Sequence, residues 1–363
     1  MLVALTLFGR AQDVYVIFGS YNWDAEKEGI YVYGLDTASG QLTRLSAVKG
    51  THNPSYLTIS PDGKHVFACT ESKTPNKGSV SSFVFNHSKT LQLINSQSSG
   101  GENPVYVSVH KNGRWLVNAN YTAGTAAVHP IHENGLIDSA VQQFRFTGSS
   151  INTKRQTSSH VHSAVFSPQC DYLYLPDLGA DKIWCFQFTG NPNQPFRENG
   201  YVKTFPGSGP RHLTFHPNGK YAYCIEEMGG YVAAFRYQNG KLDSMQRIAA
   251  HEQALTSGFE SADIHISPDG RFLYASNRGK ENNIAIFSIQ SNGRLQLLGF
   301  EPTGGNHPRT FTIDPYGKFI IVTNVVSNTV TVLERNRETG LLKNTGQQIP
   351  IPNVSCAQAM RAR

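Results

Sequence analysis

The residues of this chain best suited to chemistry recur at fixed intervals. His162, Arg211 and Arg309 each stand one place after the start of a recurring block. Ser55, Val105, Ala262 and Asn353 hold that place in the other copies. Seventeen residues after each block start come Glu71, Tyr121, Leu178, Glu227, Arg278 and Val325, with Tyr21 as the expected counterpart in the remaining copy. Asp177 falls one place earlier in its own copy. Guanidiniums grip anionic oxygens in a fixed fork, and a histidine or carboxylate beside them can move a proton. Groups of these types converging in a cleft mark a functional site, because isolated buried charge is costly. The plainer alternative is a wet channel whose charged inner positions merely satisfy one another.

The elements that must position these residues are legible in the same blocks. PSYLTISPDGK (54–64), PRHLTFHPNGK (210–220) and PRTFTIDPYGK (308–318) share one pattern, which recurs less perfectly from Pro104, Val161 and Ser261. Successive starts lie 47 to 57 residues apart. Three more strand-like runs follow each block; in the fifth copy they are 272–275, 283–287 and 295–298, alternating and rich in β-branched residues. Asp269-Gly270 is a hairpin signal, and a glycine recurs near the third turn at Gly40, Gly240, Gly293 and Gly340. Four antiparallel strands at this period make a propeller blade. Six copies are complete. The chain ends hold a seventh, with 14–21, 29–35 and 42–48 as its second to fourth strands and 352–357 as its first. The prediction is an all-β, seven-bladed β-propeller with one blade closed by both termini, which leaves no open sheet edge. First strands would surround a central channel. Antiparallel pairing sets the start of strand one beside the end of strand two, so both sets of residues belong at one channel mouth. That ring is expected to be wet and to lie outside the blade cores.

The 363 residues carry a formal charge of +6, with Lys and Arg scattered rather than clustered. This argues against a nucleic-acid stripe and leaves a basic site for an anionic ligand open. No apolar run is long enough to span a bilayer. Cys69, Cys170, Cys185, Cys224 and Cys356 are odd in number and widely spaced, without a CxxC, so neither a disulfide framework nor a zinc knuckle is indicated. His160 and His162 would make a conceivable metal pair, but no third ligand follows at metal spacing. No cofactor is expected. Gly-rich stretches such as Ser99-Gly100-Gly101 precede no helix, and no Gly-x-Ser-x-Gly elbow is present. Residues 1–12 differ in character. The apolar run Leu2 to Phe8 followed by Gly9-Arg10-Ala11 reads as the remnant of a signal peptide, though without a basic n-region, or as a disordered or docked N-terminus. Residues 13–363 read as one propeller domain.

The segments SHVHSAVFSP, YLYLPDLGADKI, GPRHLTFHPNGKYAYCIEE, ADIHISPDGRFLYASNR and HPRTFTIDPYGKFIIVTN resemble the propeller-type 6-phosphogluconolactonase family. That family is similar in turn to the fungal carboxymuconate-lactonising enzymes. The resemblance covers nearly all of the chain after residue 13. It implies hydrolysis of a small anionic sugar lactone, 6-phosphogluconolactone in the pentose phosphate pathway, by a monomer or weak homodimer with no nucleic-acid or membrane partner. It implies a cytoplasmic enzyme; a true signal remnant would imply a periplasmic or secreted one. It puts the family's functional histidine on His162, its arginine after proline on Arg211, its acid on Glu227 and its further arginine on Arg278. Arg309, Asp177, Glu71 and Tyr121 are the expected substrate contacts. Either Glu227 or His162 could be the base, and alternation turns only one of Glu226 and Glu227 inward. Two rivals stay open: a lactonising enzyme acting on a dicarboxylate, and a non-catalytic propeller that binds a partner on its rim.

Overall fold

Seven four-stranded antiparallel sheets succeed one another in the computed structural model, which describes residues 13–72 and 77–362. The segment read as a signal remnant or docked tail lies outside the described residues. Blades 1 to 6 comprise residues 54–98, 104–145, 165–203, 210–249, 261–302 and 308–350. Blade 7 joins the C-terminal strand Val354–Arg361 to Val14–Ser20, Ile30–Leu35 and Leu42–Val48. Its closure pairs Phe18 with Ala357 and Val14 with Arg361, so the last strand runs well past the expected residue 357.

Burial explains the residue pattern. Second strands such as Val14–Ser20, His65–Thr70 and Phe319–Asn324 are buried throughout, sandwiched between neighbouring blades, and read as near-continuous apolar runs. Outer strands such as Leu42–Val48 and Leu91–Ser98 begin with a buried leucine and then turn largely to solvent.

The recurrent third-turn glycine locks one blade to the next. Gly40, Gly240, Gly293 and Gly340 all have left-handed φ, between +75° and +80°. A Cβ on each would strike an aromatic ring of the preceding blade's second strand, respectively Phe319, Tyr172, Tyr221 and Phe272. Gly340 is the tightest of the four, at 2.1 Å from the Phe272 ring. Gly340→Ala therefore adds both backbone strain and overpacking. We expect a loss of about 2–4 kcal/mol, read as a lowered urea midpoint with an unchanged slope. A midpoint equal to wild type would show that the turn can relax away from the ring.

A second repeated device aims the ring residues. The last residue of each second-strand end donates its backbone N–H to the carbonyl of the residue just before the block: Tyr21 to Asn353, Glu71 to Asn53, Tyr121 to Asn103, Leu178 to His160, Glu227 to Gly209, Arg278 to Glu260 and Val325 to His307. Asn53, Asn103, Gly209, His307 and Asn353 take left-handed φ at that acceptor position. The pairing then slips by one residue, leaving Ser55, Val105, Arg211 and Arg309 each as a bulge outside the ladder. A bulged residue is freed from the pleat and can be re-aimed toward the channel.

This register corrects one assignment. Val354 pairs with Ser20 as Pro54 pairs with Thr70, so the seventh block starts at Val354 rather than Pro352. The bulged residue of blade 7 is Ser355, and Asn353 is instead the left-handed residue before the block. Sequence alone favoured Pro352 because proline opens the other well-formed blocks. Blade 3 departs differently: its first strand shrinks to Val165–Phe166, preceded by an isolated bridge from Val161 to Asp177.

Candidate active site

Glu227 is the centre of the charged mouth. Its side chain is buried, and three guanidiniums from three different segments meet it. Arg211 on the bulge of blade 4 donates from Nε to Oε2 at 2.9 Å. Arg278, at the second-strand end of blade 5, brings Nη2 to 3.2 Å of the same oxygen. Arg155, in the loop between blades 2 and 3, donates from Nη2 to Oε1 at 2.7 Å. His162 places Nε2 at 4.0 Å from Oε2. His162, Arg211, Glu227 and Arg278 thus converge.

Arg309 stands across the mouth, with Nη2 at 3.8 Å from Glu71 and its guanidinium 5.3 Å from the centre of the Tyr21 ring. Glu71 also accepts a short hydrogen bond from Ser55. Tyr121 borders the pocket: its hydroxyl accepts from Arg155 at 3.2 Å, and its ring stacks on His160 and meets His162 edge-on. Of the two adjacent acids, Glu226 turns away and holds Arg247 in a bidentate pair, as alternation required.

Asp177 is not brought into this group. It is fully buried within blade 3, where it accepts from Ser159, Trp184 and the backbone N–H groups of His160, Gly179 and Ala180. Its oxygens are taken up in holding the loop that carries His160. The spacing rule overlooked this because a short acid next to a turn can satisfy local N–H groups instead of reaching inward. The expectation of a wet ring also needs correction, since Arg211 is only 1 % exposed and ranks among the largest fully buried side chains.

A model of the family described as "Lactonase, 7-bladed beta-propeller" matches residues 15–359. The chain belongs to this propeller lactonase family. A protein of Formosa agariphila named 6-phosphogluconolactonase is 42 % identical over 94 % of this chain and 98 % of its own length. One of the same name from Bacillus subtilis is 31 % identical, over 91 % and 94 %. Among solved structures, the periplasmic gluconolactonase of Pseudomonas aeruginosa superposes with a TM-score of 0.89 at 32 % identity, covering 95 % of this chain and 99 % of that one.

Two residues of this charged mouth escaped the sequence reading. Arg155 sits in the loop that stretches one block interval to 57 residues, and that length was the available signal. His212 follows Arg211 and accepts from its Nη1 at 3.1 Å, which nothing in the spacing foretold.

The electrostatics separate the titratable groups. Burial alone would raise the Glu227 pKa, but Arg278, Arg211 and Arg155 overcome it and hold Glu227 at about 2. His162 is driven the other way. Burial, then the charges of Arg211, His212 and Arg309, depress it well below the ordinary histidine value, so its imidazole is neutral. Its Nδ1 is buried without a hydrogen-bond partner among the described residues. Glu71 is raised by burial, against the opposing pull of Arg309. A carboxylate fixed in its charged form, a neutral imidazole and guanidiniums from four positions can together bind an anion, polarise a carbonyl and move one proton.

Proposed function

We propose that this lactonase is a 6-phosphogluconolactonase, hydrolysing the ester bond of 6-phospho-D-glucono-1,5-lactone. The observation that carries the reading is the convergence of Arg155, Arg211 and Arg278 on Glu227 beside neutral His162, with Arg309 across the same mouth. Four guanidiniums against the carboxylates of Glu227 and Glu71 leave the mouth net positive, which suits a phosphorylated substrate. The relatives' shared name supports the same substrate.

In this reading the lactone carbonyl faces Arg211 and Arg278, whose N–H groups stabilise the negative charge that develops on its oxygen. His162 takes a proton from water as it attacks the carbonyl carbon. The tetrahedral intermediate collapses by breaking the bond to the ring oxygen, and the His162 imidazolium returns the proton to that leaving alkoxide. Glu227 is too weak a base for the first step, because its arginines hold it at about 2. Its negative charge instead steadies the imidazolium. Arg309 and Glu71, with Tyr121 at the rim, contact the remaining phosphate and hydroxyls.

The decisive experiment is turnover of freshly made 6-phosphogluconolactone by purified protein, measured against spontaneous decay, with cyclisation of a muconate as the competing assay. Acceleration of lactone opening supports the proposal. Muconate cyclisation alone, or neither reaction, defeats it.

A pH profile tests the base. His162 acts in its neutral form and its pKa is depressed, so kcat/KM should stay level as pH falls through 6.5 and decline only at lower pH. Arg309 is one of the charges that depress it, so Arg309→Met should move that acid limb to higher pH. An acid limb unmoved by Arg309→Met would remove His162 from the role.

A further inference from the structure

Behind the mouth, a chain of hydrogen bonds runs inward from Arg211 through residues that the proposed reaction does not use. Arg211 spends its guanidinium in three directions: Nε donates to Glu227, and Nη1 donates to the Ala262 carbonyl at 2.7 Å and to His212 Nε2 at 3.1 Å. Among the described residues no acceptor reaches Nη2. The opposite nitrogen of His212, Nδ1, lies 2.8 Å from Asp263 Oδ1. Asp263 is buried and also takes the N–H groups of Ile264 and Phe311 and the Nε2 of His265.

These contacts fix a protonation pattern. A guanidinium can only donate, so His212 Nε2 must be the bare, accepting nitrogen. Its proton must then sit on Nδ1, donated to the Asp263 carboxylate. Burial, then the Arg211 charge, hold His212 down to about 4, so this neutral tautomer persists through the physiological range. The rings of Tyr56, Tyr106 and His162 meet His212 edge-on and restrict its tilt.

We propose that His212 and Asp263 are positioning residues: Asp263 sets the His212 tautomer, and His212 fixes the Arg211 guanidinium so that Nη2 is presented to an anionic oxygen of the ligand. This deepens the lactonase reading and rests on it for the identity of that oxygen. The geometry itself does not depend on the substrate. The arrangement follows the physics of a carboxylate–histidine pair that orients a third group, with an arginine in place of a metal or nucleophile. Asp263→Asn disturbs it in either amide orientation, because the new NH2 confronts a backbone N–H whichever way it turns. Turned toward His212, the new NH2 donates to Nδ1 and forces the proton to Nε2, donor against donor with Arg211, and it also faces the Ile264 N–H. Turned the other way, it confronts the Phe311 N–H.

The test combines two readouts on the full chain. Nitrogen-15 NMR of the histidine rings should show His212 neutral between pH 6 and 8 with its proton on Nδ1. His212→Leu and Asp263→Asn should lower kcat for 6-phosphogluconolactone by roughly 10- to 100-fold with a smaller change in KM, as misplacement of a transition-state donor does. His212→Gln, which can offer Arg211 an amide oxygen, should recover most of that loss even where its melting temperature stays low. A purely structural role would track melting temperature and show no such rescue. A wild-type proton on Nε2, or folded His212→Leu with kcat within twofold of wild type, overturns the proposal. Should the wild-type chain not open the lactone at all, the substrate reading falls, while the tautomer measurement still decides this one.

Discussion

Arg211→Ala should lower kcat for 6-phosphogluconolactone by about 10²- to 10³-fold, the loss typical of removing one preorganised donor to a developing oxyanion. The expectation rests on how tightly this side chain is held. Glu227, the Ala262 carbonyl and His212 occupy Nε and Nη1, and nothing among the described residues occupies Nη2. Such a donor pays no reorganisation cost when charge develops. Arg211→Lys should recover little, because an ammonium cannot make three directed contacts and still present a fourth N–H. The side chain is fully buried, so its loss will also cost stability. The kinetics must therefore be read well below the variant's own melting temperature, with circular dichroism confirming the fold. A folded Arg211→Ala with kcat within threefold of wild type would remove Arg211 from the reaction.

Glu227→Gln should be the most destabilising charge change at the mouth, costing about 3–5 kcal/mol at neutral pH. Glu227 is the shared counter-ion of Arg155, Arg211 and Arg278. An amide leaves those guanidiniums facing one another, with Arg211 almost wholly buried. The pH dependence gives an independent check. The Glu227 pKa is depressed from 4.5 to about 2 on folding. Its contribution is therefore complete above pH 4.5 and is lost as pH falls from there toward 2, with a size of roughly 3 kcal/mol. Equilibrium urea unfolding of wild type and Glu227→Gln should differ most at neutral pH and converge as pH approaches 2. A constant difference across that range would mean that the carboxylate acts through packing rather than charge.

The architecture was legible because each blade repeats the same local physics. Pro-x-Gly-Lys turns, apolar second strands and third-turn glycines declare the period, and Val14 to Val48 visibly lacks a first strand that the C-terminus supplies. The ring positions followed from counting, and His162, Arg211, Glu227 and Arg278 do meet. Counting failed where local contacts outweighed the repeat. Asp177 satisfies its own loop, and the count chose Asn353 over the bulged Ser355 because Val354, not a proline, opens the blade 7 block beside Pro352.

The sequence by itself determined the number of blades, the closure through both termini and four residues that meet at one mouth, His162, Arg211, Glu227 and Arg278, because these depend on periodicity and on alternation along a strand. Tertiary structure decided what those residues do to one another. Arg155 reaches Glu227 from 72 positions away in the chain, and Asp263 reaches His212 from 51. The first separation fits no blade interval; the second is one blade interval, so His212 and Asp263 hold equivalent places in adjacent blades, but only packing brings their side chains into a hydrogen bond. The depressed Glu227, the neutral His162 and the oriented Arg211 arise from burial and from charges on their own and neighbouring segments, which act through space and leave no mark on residue spacing.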